Sequence, residues 1–157
     1  MRRFIAVLMA ATLSVTTSHV FAQTQEHTPM NDRYTRGLNQ LKAIDGRDGE
    51  VVVESMRKIS PDFARYLIEY PFGDIYARPQ LDLKSREIAT IAALTAIGNA
   101  RPQLEVHIAA GLNVGLTREE ILEIIMQMSV YAGFPAAING LNAAQAVFDR
   151  HPEPEEP

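Results

Sequence analysis

The chain has 157 residues, 46% of them hydrophobic, with 15 basic and 19 acidic residues and a net charge of −4. That length accommodates one domain with a core large enough to need neither a disulfide nor a structural metal. The acidic balance argues against a nucleic-acid partner, which requires clustered lysine and arginine, and the lack of cysteine excludes dithiol peroxidase, disulfide-exchange and Cys-zinc chemistry for this chain acting alone.

Arg2 and Arg3 precede an apolar run over 4–13 and a small-residue pattern ending at Ala22, the layout of a signal peptide over 1–22. The protein is therefore expected in the periplasm or outside the cell. The apolar run is shorter than the ~20 residues of a spanning helix, and no membrane span is expected. Residues 1–22 hold two of the 15 basic residues and none of the acidic ones, so the mature charge is −6. Residues 23–31 are polar without periodicity and 151–157 form a Pro/Glu tail; both are expected to be disordered, leaving 32–150 as the folded domain.

Apolar residues recur at three and four throughout that domain, Gly and Pro fall between segments, and the expected fold class is all-α. A first helix is expected over 32–44, stopping at Asp45-Gly46, and a second over 49–58, where Val51, Val52 and Val53 make a weak case for a strand. Ser60 caps a third helix with Pro61 at its first position and Phe63, Tyr66, Leu67 and Tyr70 as its buried face. Asp82 or Ser85 opens the next, which is apolar all round from 88 to 97 and belongs in the middle of a bundle. Pro102 opens a helix with Leu104, His107, Ile108, Gly111 and Leu112 on one face. Thr117 and Glu120 form a capping box for a helix with Ile121, Ile124, Ile125 and Met128 inside. Pro135 starts the last helix, whose stripe of Ala136, Gly140, Ala143, Ala144 and Val147 lets another helix, or a second subunit, approach closely.

Two polar residues lie on apolar stripes: Glu87 with Ile91 and Leu94, and His107 with Leu104, Ile108 and Gly111. An isolated buried carboxylate costs several kcal/mol, so Glu87 needs a partner from another helix, and His107 is the obvious one. Such a pair yields an acid or base near neutral pH. The alternatives are a first-turn acid suited to the helix dipole and a satisfied core histidine. Arg78, Arg86 and Arg101 are candidates to hold a substrate carboxylate, and Tyr131 to donate a proton, against ordinary surface or packing roles. Glu119, Glu120 and Glu123 read as a solvated first turn. No metal site is expected, because His107 is the only histidine inside the domain, and no nucleotide fingerprint or nucleophile elbow is present, so no cofactor is expected.

The run Phe72-Gly73-Asp74-Ile75-Tyr76-Ala77-Arg78-Pro79, followed by Leu81-Asp82-Leu83-Lys84-Ser85-Arg86-Glu87, resembles the carboxymuconolactone decarboxylase family. The resemblance continues through Ala92 to Gly98, Pro102 to His107, Gly115 to Glu120 and Tyr131 to Ala137, covering about 32–149. It implies a helical bundle of the alkylhydroperoxidase D-like type, assembled as a homotrimer or homohexamer with active sites near subunit contacts. It also implies a lyase that decarboxylates a small carboxylated lactone or related oxo acid without a cofactor, with His107 stabilising the developing enolate or delivering the proton, Glu87 tuning His107 or acting as the acid, and an arginine holding the substrate. Lactone decarboxylases of the family carry a small hydroxyl residue where Glu87 stands, and the acidic version resembles the peroxidase branch. That branch has two cysteines shortly before the histidine, whereas residues 100–103 have none. The export signal also departs from the intracellular pathway of aromatic degradation. A non-catalytic binding or structural oligomer with the family fold is the alternative.

Overall fold

The computed structural model describes residues 30–152; the expected signal peptide, the polar start up to residue 29 and the tail beyond Pro152 lie outside the described residues. Helix α1 (Met30–Ile59) is interrupted at Gly46, whose φ of 55° and ψ of −132° are cheap only without a Cβ. The expected stop at Asp45-Gly46 is thus found as a kink between two helical stretches, and Val51, Val52 and Val53 are helical. Ser60 caps α2 (Pro61–Leu67) by accepting from the Phe63 N–H. The chain then enters a π-helical segment, Ile68–Tyr76, with Pro71 inside it.

Asp82 caps α3 (Leu83–Ile97), which ends on Gly98 in the left-handed conformation. Helix α4 (Arg101–Asn113) has Pro102 in its first turn. Thr117 and Glu120 close both halves of the capping box that starts α5 (Arg118–Ala132), and α6 (Phe134–Arg150) follows after Gly133. The fold is all-α, with no strand among the described residues.

Two apolar clusters hold these helices together. Leu41, Ile44, Val53, Ala64, Ile68 and Phe72 join α1, α2 and the π segment against Ala110 of α4. Ile91, Leu104, Ile108, Ile121, Ile125 and Val147 join α3 to α6. Each buried Leu or Ile contributes roughly 1.5–3 kcal/mol. Helix α4 contributes to both clusters, so a polar residue on it stands at the seam between them. Two glycines let the π segment press onto α1: a Cβ on Gly37 would fall 2.3 Å from the Ile68 carbonyl oxygen, and one on Gly73 2.8 Å from that of Arg33.

Two expectations about buried faces are corrected, and the small-residue stripe of α6 meets the first of its two expected partners, another helix of the same chain. In α2 and the π segment, Phe63, Tyr66 and Tyr70 are exposed, while Ala64 and Ile68, with half-buried Leu67, meet α1. Both sides of this stretch are apolar, and the small Ala64 permits the closer approach. Helix α3 does not lie in the middle of the subunit, because α4, α5 and α6 cover only the side of Glu87, Ile91 and Thr95 and leave Ile88 and Ile97 exposed. The small-residue stripe of α6 is filled within the subunit, where Ile125 and Thr95 stand directly over Gly140. It is not free to receive a partner.

Candidate active site

Glu87 lies just past the first turn of α3, on the stripe it shares with Ile91 and Thr95, and is 0% exposed. It is therefore not a solvated first-turn acid. His107 reaches it from α4, with Nδ1 2.9 Å from Glu87 Oε2. That contact occupies one ring nitrogen and leaves Nε2 as the nitrogen available to a ligand. The side chain of His107 is 20% exposed and forms part of the wall of a cavity of about 170 Å³.

A third group joins them. Asp45, the last residue before the kink in α1, is 5% exposed and lines the same cavity. Donor atoms of Asp45, Glu87 and His107 all lie within 4.8 Å of one another, and among the described residues no other group of three such side chains has the spacing to hold a metal ion. The rest of the wall is mostly apolar, including Leu41, Val53, Leu67, Phe72 and Val106, with the Gln103 amide as a further polar group. A cavity of about 150 Å³ takes a benzene ring, which sets the scale of ligand this one encloses.

Charge and burial oppose each other here. Burial, reinforced by the charges of Glu87 and Asp48 and opposed by His107, pushes the Asp45 carboxyl up to about 7. For His107, burial pulls the imidazolium down, but the hydrogen bond to Glu87 and the charges of Glu87 and Asp45 outweigh it and hold the group above 6.5. Burial and the Glu87 charge push the Tyr76 phenol up to about 12. Because Thr90 Oγ1 donates to the Arg86 carbonyl at 2.9 Å, the Tyr76 hydroxyl donates to Thr90 Oγ1, at 2.5 Å. The cluster therefore contains a histidine shifted toward its charged form and an aspartate shifted toward its neutral form.

The other candidate residues lie apart from this cavity wall. The Arg86 guanidinium donates to the backbone carbonyls of Arg78 and Leu81 and lies 5.6 Å from the Tyr76 ring centroid. Arg78 is exposed, Arg101 pairs with Glu105 at 2.9 Å, and Tyr131 is 78% exposed near the end of α5. Asp45 and Gln103 were not singled out by sequence reasoning. The signal for Asp45 was present: it stands four residues after Leu41 and four before buried Gly49, an acid on an apolar stripe like Glu87. Its neighbour Gly46 made it read as a helix stop.

An all-helical chain with a buried Glu–His pair beside an apolar cavity defines a class capable of acid–base chemistry. Residues 61–146 match the carboxymuconolactone decarboxylase family. The chain is 32% identical over 122 residues to 4-carboxymuconolactone decarboxylase of Acinetobacter baylyi, covering 76% of this chain and 90% of that protein. It is 37% identical over 102 residues to an uncharacterized 15.0 kDa protein of Paracoccus denitrificans, covering 64% and 76%. It is also 30% identical over 117 residues to nitrosuccinic acid decarboxylase of Metarhizium robertsii, covering 71% and 78%. The chain belongs to the carboxymuconolactone decarboxylase family.

Proposed function

We propose that this protein is a carboxy-lyase acting on a small carboxylated lactone or a related acid that serves as its own electron sink, by acid–base and electrostatic catalysis. The observation that carries it is His107 on the cavity wall, locked to Glu87 at 2.9 Å with Asp45 beside it. Two related proteins are named for decarboxylations that share one logic. In 4-carboxymuconolactone the bond to the departing carboxylate breaks, its electron pair passes through the ring alkene to the lactone carbonyl, and carbon dioxide leaves. In nitrosuccinic acid the nitro group takes the place of that carbonyl. Neither reaction requires a cofactor to accept the electrons.

The protein then has to stabilise the developing negative oxygen and return a proton to carbon. His107, whose charged form Glu87 favours, donates from Nε2 to the oxygen. Protonated Asp45 is a second proton source on the same wall. The apolar lining strengthens both interactions by excluding water. Among the described residues no arginine lines the cavity, so an arginine holding the retained carboxylate comes from a neighbouring copy in this scheme. The exposed Phe63, Tyr66, Tyr70, Val130, Tyr131 and Phe134 supply apolar surface for such a homotrimer or homohexamer. Export to the periplasm or beyond rests on residues 1–22.

The test is an ultraviolet assay of the protein from Gln23 onward on 4-carboxymuconolactone and on nitrosuccinic acid, with carbon dioxide measured separately. Turnover of either, abolished in His107→Ala and reduced in Glu87→Gln, is the expected result. A folded protein that releases no carbon dioxide from either substrate would point instead to a non-catalytic oligomer. Full activity in His107→Ala would remove the assigned site.

A further inference from the structure

Asp45, Glu87 and His107 bring together more negative charge than neighbouring basic groups neutralise. The chain treats its other deeply buried glutamate differently: Glu69 has Arg33 and Arg65 guanidinium nitrogens at 3.7 and 3.8 Å. Among the described residues, no lysine or arginine pairs with Asp45 or Glu87, and His107 is their basic neighbour. Both carboxylates are more than nine-tenths buried, and each keeps one oxygen, Asp45 Oδ1 and Glu87 Oε1, with no hydrogen-bond partner. An unsatisfied buried acceptor costs roughly 1–3 kcal/mol, and more when charged.

Two protons, one on His107 and one on Asp45, bring this set to neutrality. One doubly charged cation in their place does the same. We propose that Asp45, Glu87 and His107 form a binding site for a single divalent transition-metal ion of the zinc or manganese class.

The spacing fits such an ion. Two ligands each about 2.1 Å from a metal are about 3.0 Å apart at right angles and about 3.4 Å apart at the tetrahedral angle, so His107 Nδ1 and Glu87 Oε2, 2.9 Å apart, open by about 0.5 Å or less to receive one. The ion takes the place of the proton between them. Asp45 joins the set from α1, its donor atom within 4.8 Å of the other two, and three ligands sharing one ion at about 2.1 Å come within about 4.2 Å of one another. The three ligands come from three helices, α1, α3 and α4, so the site exists only in the folded chain and binding adds to stability. One imidazole nitrogen and two carboxylate oxygens suit zinc or manganese, whereas calcium takes six to eight oxygens. Asp45 and His107 also line the cavity, which places the site at its wall.

The experiment uses the chelator-treated full protein and no substrate, so its outcome is independent of whether the protein is a decarboxylase. Zinc binding is measured by calorimetry at neutral pH and manganese binding by electron paramagnetic resonance. One ion per subunit is expected, with affinity falling roughly tenfold or more in each of Asp45→Asn, Glu87→Gln and His107→Gln. His151→Ala, which changes an exposed histidine outside the set, is expected to bind as the unaltered protein does. Circular dichroism confirms that each variant is folded, and the three near-isosteric changes provide independent tests. No saturable binding by the unaltered protein would overturn the proposal. So would binding that the folded Asp45→Asn and His107→Gln variants retain.

Discussion

Replacing Asp45 by asparagine keeps the shape of the side chain and removes its charge, and the structure sets the size and pH dependence of the effect. Burial raises this carboxyl from 3.8 to about 7, so between those values the folded protein retains a proton that the unfolded chain has released. Each unit corresponds to ~1.4 kcal/mol, and a gap of about three units to ~4 kcal/mol. Because the folded value is the higher one, the unaltered metal-free protein loses stability as pH rises from about 4 to about 7 and then levels off. Asparagine carries no such penalty, so Asp45→Asn gains ~1.5 kcal/mol near pH 5 and ~4 kcal/mol near pH 8 relative to the unaltered protein. From this, ~1 kcal/mol is subtracted for the new buried amide donor. Asp45 Oδ1 accepts no hydrogen bond, so no existing bond to that oxygen is lost in the exchange. Urea unfolding in the presence of chelator, followed by circular dichroism at the two pH values, measures both the gain and its slope. An asparagine variant less stable than the parent near pH 8, or a difference that does not grow with pH, would refute the account of Asp45 as a desolvated, uncompensated acid. Adding zinc should stabilise the parent and leave Asp45→Asn nearly unmoved.

Glu87→Gln should lower the His107 titration midpoint, read by NMR of the ring protons, because the Glu87 hydrogen bond and charge are the main forces holding it above 6.5. A raised histidine adds stability that is fully present below its unfolded value and is lost as pH rises through the folded one, so the variant should lose stability chiefly on the acid side of that window. Gly37→Ala should destabilise the protein by ~1–3 kcal/mol in thermal unfolding, because its Cβ would lie 2.3 Å from a backbone oxygen that cannot rotate away. That clash outweighs the ~1 kcal/mol that alanine gains over glycine in a helix. Thr117→Ala should cost ~1 kcal/mol by removing the acceptor for the Glu120 N–H, with no change in the titration of His107.

The helix ends were legible in the residues because each is set by contacts spanning a few positions. Ser60 accepts from Phe63, Asp82 from Ser85 and Thr117 from Glu120, so each satisfies a backbone donor of its own helix whatever the rest of the chain does. Gly98, Gly115 and Gly133 take positive φ where helices end. The Glu87–His107 contact was also legible, through energetics rather than geometry: two polar groups on apolar stripes each require a partner.

Other features depended on how the helices pack. Phe63, Tyr66 and Tyr70 are large enough to have formed the buried face, and the side covered is the one where Ala64 and Gly37 allow a close approach to α1. The nearly uniform apolarity of α3 could not specify which face its own subunit covers. Asp45 entered the site because the kink at Gly46 and the contact between α1 and α4 bring it beside His107. Local hydrogen bonding and periodicity, which act over one or two turns, therefore determined the helices and marked Glu87 and His107 as residues needing partners. The cavity and its third acidic group required long-range packing, because no short stretch of chain encodes the distance between residues on separate helices.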